Sequence, residues 1–385
     1  MRVKIIGLLL LFIIPFSSKA VKLDISIFDS FNKTEVVFFS LSGKYTIAAS
    51  KDTALILMKG NELKIVLEND SILRLYDGLR IIGRYPEIQF TGKGFLKAFS
   101  LHLEGKPTKV RDYDDDLIIR VVNGKMQLIN RVDLEHYTAG VVQSEALGSS
   151  KDLQFFFVQA ITCRTYALVN YLKHADEGFN LCDDVHCQYY TGRCRSADIS
   201  RATARTSGDV IVDSDKRMIS AAFHSNCGGQ TVNSEDVWSI PTSYLKSVKD
   251  SFCIHESNAK WRYALAKDDW LAFLKKQYNY PVDNPKMRIK AYTFKQAERK
   301  VYFENKILLK DIRRDLHLRS TFFSLESKKD SVVFHGRGYG HGVGLCQQGA
   351  IHMADLGIDY KEIIKFYYTD TRIIHYSELR YDFMP

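Results

Sequence analysis

With 385 residues, 45% of them hydrophobic and 26% charged, the chain has the composition of a folded protein and length for two or three domains, which excludes a disordered tail or a lone small module. Its formal net charge of +9 is spread along the sequence and not gathered into a Lys/Arg block. That distribution argues against a nucleic-acid partner and suits contact with an anionic polymer or surface.

In chain order, Arg2 and Lys4 form a basic start, Ile5 to Phe16 a short apolar run, and Ser18-Lys19-Ala20 a small-x-small cleavage site. This pattern predicts a secretory signal peptide over residues 1–20. The run is shorter than the roughly 20 apolar residues a bilayer needs, and no cysteine follows the site. The expected protein is therefore exported, periplasmic or extracellular, with no transmembrane anchor after cleavage.

Residues 21–105 read as a β-rich accessory domain. Val36 to Phe39, Tyr45 to Ile47, Ala54 to Leu57 and Leu63 to Val66 are short apolar or alternating runs, separated by turn signals at Gly43, Gly60-Asn61 and Asn69-Asp70. Residues 106–385 read as a mixed helix/strand core, giving an α+β protein overall. Leu117 to Val122 and Met126 to Ile129 predict a hairpin around Asn123-Gly124. A helical pattern starts within Arg131 to Gly140. Ser149-x-x-Asp152 resembles a capping box for a long helix reaching about Lys173, whose apolar stripe also carries Arg164. Short strands are expected at Asp209 to Val212 and Ile219 to Phe223, mixed structure over 260–325, and a last helix over Ile358 to Tyr367.

Four clusters carry chemistry. Glu145 lies among Val141, Val142, Ser144 and Ala146, a partly apolar setting that raises a carboxyl pKa and suits a general acid. Arg164, on an apolar helix face, must be paired with Glu145, with another carboxylate or with a substrate group, because an unpaired buried charge is very costly. His174, Cys182, His186 and Cys187 offer two imidazoles and two thiols within fourteen residues, a donor set that suits a closed, structural zinc site. Disulfides among Cys182, Cys187 and Cys194 are the alternative there, and a Cys227–Cys253 disulfide is a further one. Finally, His335 to Gly344 alternates glycine with His, Arg, Tyr, His and Val. Read as a strand, it would have one face of glycine only and one of titratable and aromatic groups.

The motifs Val141-Val142-x-Ser144-Glu145, Gln159-Ala160-x-x-x-Arg164, His186-Cys187-Gln188-x-Tyr190, Phe223-His224-Ser225-x-Cys227-Gly228-Gly229-x-Thr231, Tyr244-Leu245 and Gly336 to Gly344 followed by Gln347 resemble the stage II sporulation protein D and amidase-enhancer family, in the family's order, over about 130–375. The resemblance implies a peptidoglycan lytic transglycosylase acting on glycan strands at the cell wall, with Glu145 as catalytic acid/base. It implies Arg164, Tyr189, Ser225, Tyr244, Arg337, His341 and Gln347 as substrate-binding residues, and zinc on His174, Cys182, His186 and Cys187. The competing implication is a glycan-binding protein that activates a cell-wall amidase. Phe157 departs from the family pattern, which has a lysine ahead of the Gln-Ala pair; Cys346 and Gln348 depart from it too.

Overall fold

The computed structural model describes residues 21–49, 54–103, 109–146, 148–150, 152–304 and 306–379. The segment read as a signal peptide and the 105/106 division lie outside them. No helix among the described residues is long and apolar enough to cross a membrane.

The first third of the chain is a run of strands: β1 (Lys22–Ile27), β2 (Glu35–Ala48), β3 (Ala54–Leu57), β4 (Glu62–Asn69), β5 (Ile72–Asp77), β6 (Arg80–Tyr85), β7 (Glu87–Leu103), β8 (Lys109–Asp114), β9 (Asp116–Val122) and β10 (Lys125–Asp133). Helices α1 (Leu134–Ala146) and α2 (Leu153–Val169) follow, then the short strand β11 (Leu181–Cys182). The sheet order is β11-β1-β10-β9-β7-β2-β4-β5-β6, with β3 on β2 and β8 on β7. Strands from both sides of residue 105 thus share one sheet. Alternation explains its buried face: in β2, Val36, Phe38, Tyr45 and Ile47 point inward, and Phe38 stacks on Phe90 and Phe99.

Two local expectations change here. Val36 to Phe39 and Tyr45 to Ile47 belong to one long strand, not two. Gly43 does not end it; it sits at φ 78 where the pairing with β7 shifts register, so a bulge replaces the expected turn. The β9–β10 hairpin forms as expected, with Asn123 at φ 50 and Gly124 at φ 74, the two positive φ values a tight hairpin turn requires.

Helix α2 ends at Val169, before the expected Lys173. Asp152 is its N-cap, accepting from the Gln154 N–H. Phe155 to Thr165 are buried on every side, because α2 is the central helix, packed by α1, by α3 (Ala197–Arg205), by β12 (Asp209–Val212) and by later helices. Beyond β12 come β13 (Phe223–His224) and α4 (Ser234–Trp238). Residues 260–337 then form β14 (Lys260–Ala266), α5 (Lys267–Tyr278), α6 (Pro285–Thr293), β15 (Tyr302–Phe303), β16 (Ile307–Leu308), α7 (Leu309–Asp315), β17 (Phe323–Ser327) and β18 (Ser331–Arg337). They close around a second hydrophobic core of their own that includes Trp270, Phe303, Phe323 and Phe334. The chain returns to the main core through β19 (Leu345–Cys346), α8 (Gln347–Asp355), α9 (Tyr360–Tyr367) and β20 (Arg372–His375), the last pairing with β12. Mixed helix and sheet throughout make this an α+β fold.

Candidate active site

Glu145 sits in the last turn of α1, half-buried, on the wall of a cavity of about 780 Å³. The loop after β11 holds it. Asp183 anchors that loop by accepting from the Phe28 N–H at 2.7 Å and from Arg111 at 2.7 Å. Tyr190 is fully buried, and its hydroxyl donates to Asn130 at 2.9 Å. Gly140 lets the loop come this close: a Cβ there would lie 2.4 Å from the Gly192 carbonyl oxygen. As a result two backbone amides zip onto the end of α1, Thr191 N–H to Ser144 Oγ at 2.9 Å and Tyr189 N–H to Glu145 Oε1 at 3.0 Å. Burial raises the Glu145 pKa above the ordinary carboxylate range, and the Tyr189 amide only partly opposes it.

Around the same cavity stand Tyr166, Asn170, His186, Cys187, His224, Ser225, Trp238, Tyr339, His341 and Gln347. Glu145 is the one carboxyl group among its described lining residues. His341 is held in the neutral form. Its Nε2–H donates to the Phe223 carbonyl at 2.9 Å, its Nδ1 accepts from the Val343 N–H at 3.0 Å, and burial pushes its pKa down to about 4. His224 donates Nδ1–H to the Val343 carbonyl at 3.1 Å, and burial holds its pKa well below the usual histidine value. Its Nε2, like Gln347 Nε2, is buried without a protein partner. Both belong to residues that line the cavity, and an unpaired buried polar atom calls for a partner.

The glycine-alternating run is built differently from the expected strand. β18 stops at Arg337, and Gly338, Gly340, Gly342 and Gly344 all take positive φ, between 69 and 114. Repeated left-handed residues cannot continue a strand. They crimp the segment so that it laces onto the loop after β13. Tyr339 and Asn226 exchange backbone hydrogen bonds at 2.7 and 3.0 Å, and the Val232 N–H donates to Gly342 at 2.8 Å. At Gly340 a Cβ would lie 2.8 Å from His224 Cβ.

The expected site residues divide. Ser225, His341 and Gln347 line the cavity with Glu145, while Tyr189 reaches Glu145 through its amide and exposes its ring. Arg164 does not take part: completely buried, it pairs with Glu135 at 2.8 and 2.5 Å and donates to the carbonyls of Asp209 and Thr203. A carboxylate in the first turn of α1 and two carbonyls engage all three of its nitrogens, and it lies away from the cavity lining. Tyr244 accepts from the Ser220 N–H at 3.0 Å, bracing one wall from behind. Arg337 lies in a neighbouring pocket, stacked 3.5 Å from the Phe322 ring centroid and donating to Gln296 and Ala297. Phe157 packs on Tyr360 at 5.3 Å between ring centroids. Sequence reasoning missed Tyr166, Asn170 and Trp238. Tyr166 lies in the last turn of α2 and Asn170 is its C-cap, four residues on, and Trp238 packs on His341 at 5.3 Å.

His174, Cys182, His186 and Cys187 converge beside the cavity, with donor atoms all within 4.8 Å of one another. Cys187 Sγ is 3.4 Å from His174 Nε2, and Cys182 Sγ 3.7 Å from His186 Nδ1. Pairing β11 with β1 in parallel places Cys182 opposite Ser26 and fixes one corner of the group. His174 turns Nδ1 toward Glu177 at 2.5 Å, the carboxylate backing that metal-bound histidines use. Two nitrogens and two sulfurs in this spacing fit a tetrahedral zinc.

Residues 122–212 match the family model described as Stage II sporulation protein. Over 280 residues the chain is 28% identical to an uncharacterised protein of Brachyspira hyodysenteriae, covering 71% of this chain and 75% of that one. It is also 28% identical over 266 residues to stage II sporulation protein D of Bacillus subtilis, covering 64% and 76%. With the amidase enhancer of Bacillus subtilis it shares 24% over 292 residues, 62% of this chain but 40% of that one. The matched segment contains Glu145, α2 and the His/Cys cluster, so the chain carries a Stage II sporulation protein domain over residues 122–212 and is similar to stage II sporulation protein D and to the amidase enhancer well beyond it.

Proposed function

We propose that this chain is an exported lytic transglycosylase of the bacterial cell wall, cleaving peptidoglycan glycan strands between N-acetylmuramic acid and N-acetylglucosamine. The observation that carries the reading is Glu145: a carboxyl with a raised pKa, alone of its kind on the described lining of a cavity large enough for sugar rings. Ordinary glycosidases need two carboxylates; a lytic transglycosylase needs one. Protonated Glu145 gives its proton to the glycosidic oxygen as the bond to the anomeric carbon breaks. The carboxylate left behind takes the proton of the same sugar's C6 hydroxyl, whose oxygen closes onto the anomeric carbon. The carboxyl group is restored, a 1,6-anhydro end is made, and no water is consumed.

The other residues position the glycan. Gln347 Nε2 and His224 Nε2 offer one donor and one acceptor to sugar hydroxyl or acetamido groups. Trp238 and Tyr339 give aromatic surface at the cavity wall. Zinc bound by His174, Cys182, His186 and Cys187 would supply structural rigidity only, since four protein ligands leave no open position. What it would rigidify is the loop whose Tyr189 amide holds Glu145.

The test is product analysis. The mature protein, incubated with glycan strands bearing or lacking stem peptides, should release fragments with 1,6-anhydromuramyl ends seen by mass spectrometry. Intact strands in both cases would sink the reading. Stimulation of a cell-wall amidase by the same inert protein would put an activator, as in the name of one relative, in its place.

A further inference from the structure

A second cluster lies outside the cavity and plays no part in the proposed reaction. Cys227, in the loop after β13, Asp250 and Cys253, in one turn, and Cys346, the N-cap of α8, bring three sulfurs and a carboxylate oxygen within 4.8 Å of one another. All four residues are completely buried. Cys227 Sγ stands 3.2 Å from Asp250 Oδ2 and 3.3 Å from Cys253 Sγ.

The surroundings are those of ligands. Backbone amides point at sulfur: Cys227 N–H and Gly349 N–H both donate to Cys346 Sγ, at 3.3 and 3.4 Å. The Asp250 carboxylate accepts from Tyr367 Oη–H at 3.0 Å and from the Phe252 N–H at 2.9 Å. No basic side chain among the described residues forms an ion pair with it. An ionised carboxylate buried here needs a counter-charge, which a divalent cation held beside the three sulfurs would supply. A disulfide does not meet the same need: it consumes two of the three thiols and leaves the odd sulfur and Asp250 facing each other with no cation.

We propose that Cys227, Asp250, Cys253 and Cys346 form a second, structural metal site for a thiophilic divalent ion of zinc's class. Binding displaces the thiol protons to solvent and closes a four-ligand tetrahedral set with no place for water. The ion ties three distant stretches of chain at one point. Two of them carry cavity wall: Ser225 lies two residues before Cys227, and Gln347 directly follows Cys346. The site therefore holds the part of the cavity wall that Ser225 and Gln347 form, whatever reaction the cavity performs.

The experiment measures metal in protein purified without chelator. Cys182→Ser/Cys187→Ser removes the His/Cys cluster, and this variant should keep one equivalent of zinc, with X-ray absorption showing a sulfur-dominated shell at about 2.3 Å. Adding Cys253→Ser or Cys346→Ser should abolish it. Wild-type protein provides the control that needs no altered fold: native alkylation should spare Cys227, Cys253 and Cys346 until a strong chelator strips the ion. Overturning results are a disulfide joining any two of these three in the wild-type peptide map, their ready alkylation without chelator, or wild-type zinc confined to an equal nitrogen and sulfur shell.

Discussion

Replacing Glu135 with alanine strips Arg164 of the one carboxylate that pairs with it among the described residues. The guanidinium is fully buried, and Glu135 gives it contacts of 2.8 and 2.5 Å; what remains are two carbonyls, at 3.1 and 3.3 Å. Removing one partner of a buried ion pair costs about 3–5 kcal/mol, because the other charge stays desolvated. With a urea slope of about 3 kcal/mol per molar, the unfolding midpoint should fall by roughly 1 to 1.7 M. The double substitution Glu135→Leu/Arg164→Met, which removes both charges and keeps the volume, should recover most of that loss. Equilibrium urea unfolding followed by tryptophan fluorescence measures both. A Glu135→Ala loss below about 1 kcal/mol, the range of exposed bridges, would refute the pairing. So would an Arg164→Met protein of full stability that no longer binds glycan, since that would return Arg164 to the substrate.

Three further outcomes are expected. Because the Glu145 pKa is raised in the folded protein, its contribution favours folding below the unfolded value of about 4.3 and is lost as pH rises through the folded value; Glu145→Gln should therefore be more thermostable than wild type near neutral pH and lose that advantage near pH 4, while wild-type cleavage falls on the alkaline side. Gly340→Ala, at φ 114 with a Cβ 2.8 Å from His224 Cβ, should lose about 1–3 kcal/mol by strain and most cleavage, whereas Gly357→Ala, also at positive φ but with nothing within 4 Å, should lose less stability and no activity. Chelation, or Cys182→Ser, should loosen the Asp183–Gly192 loop, seen as faster backbone hydrogen exchange at Tyr189 and a parallel fall in cleavage.

Much of the site was legible because it is written in contiguous motifs. Glu145, Ser225, His341 and Gln347 meet at one cavity, and the His/Cys group converges as its clustering suggested. What sequence could not supply was pairing across distance. Arg164 announced that it needed a partner, but only the packing of α1 against α2 selects Glu135, 29 residues away, over Glu145. Arg337 sits in the glycine run with His341, yet the break at Gly338 turns the two side chains into different pockets. Alternation of glycine with bulky residues has the period of a strand, and nothing in that period distinguishes extended glycine from left-handed glycine. In the fold, Gly43 shows the same ambiguity between turn and bulge. The separate core of residues 260–337 was hidden because its Trp and Phe spacing looks like that of any other core.

In the proposed reaction one carboxyl group, Glu145, acts as acid and then as base without water. Cleavage of purified glycan strands in heavy-oxygen water tests it most directly. Wild type should yield anhydro ends with no heavy oxygen incorporated, and Glu145→Gln should yield no new ends. Reducing ends carrying heavy oxygen, or anhydro ends still made by Glu145→Gln, would contradict it.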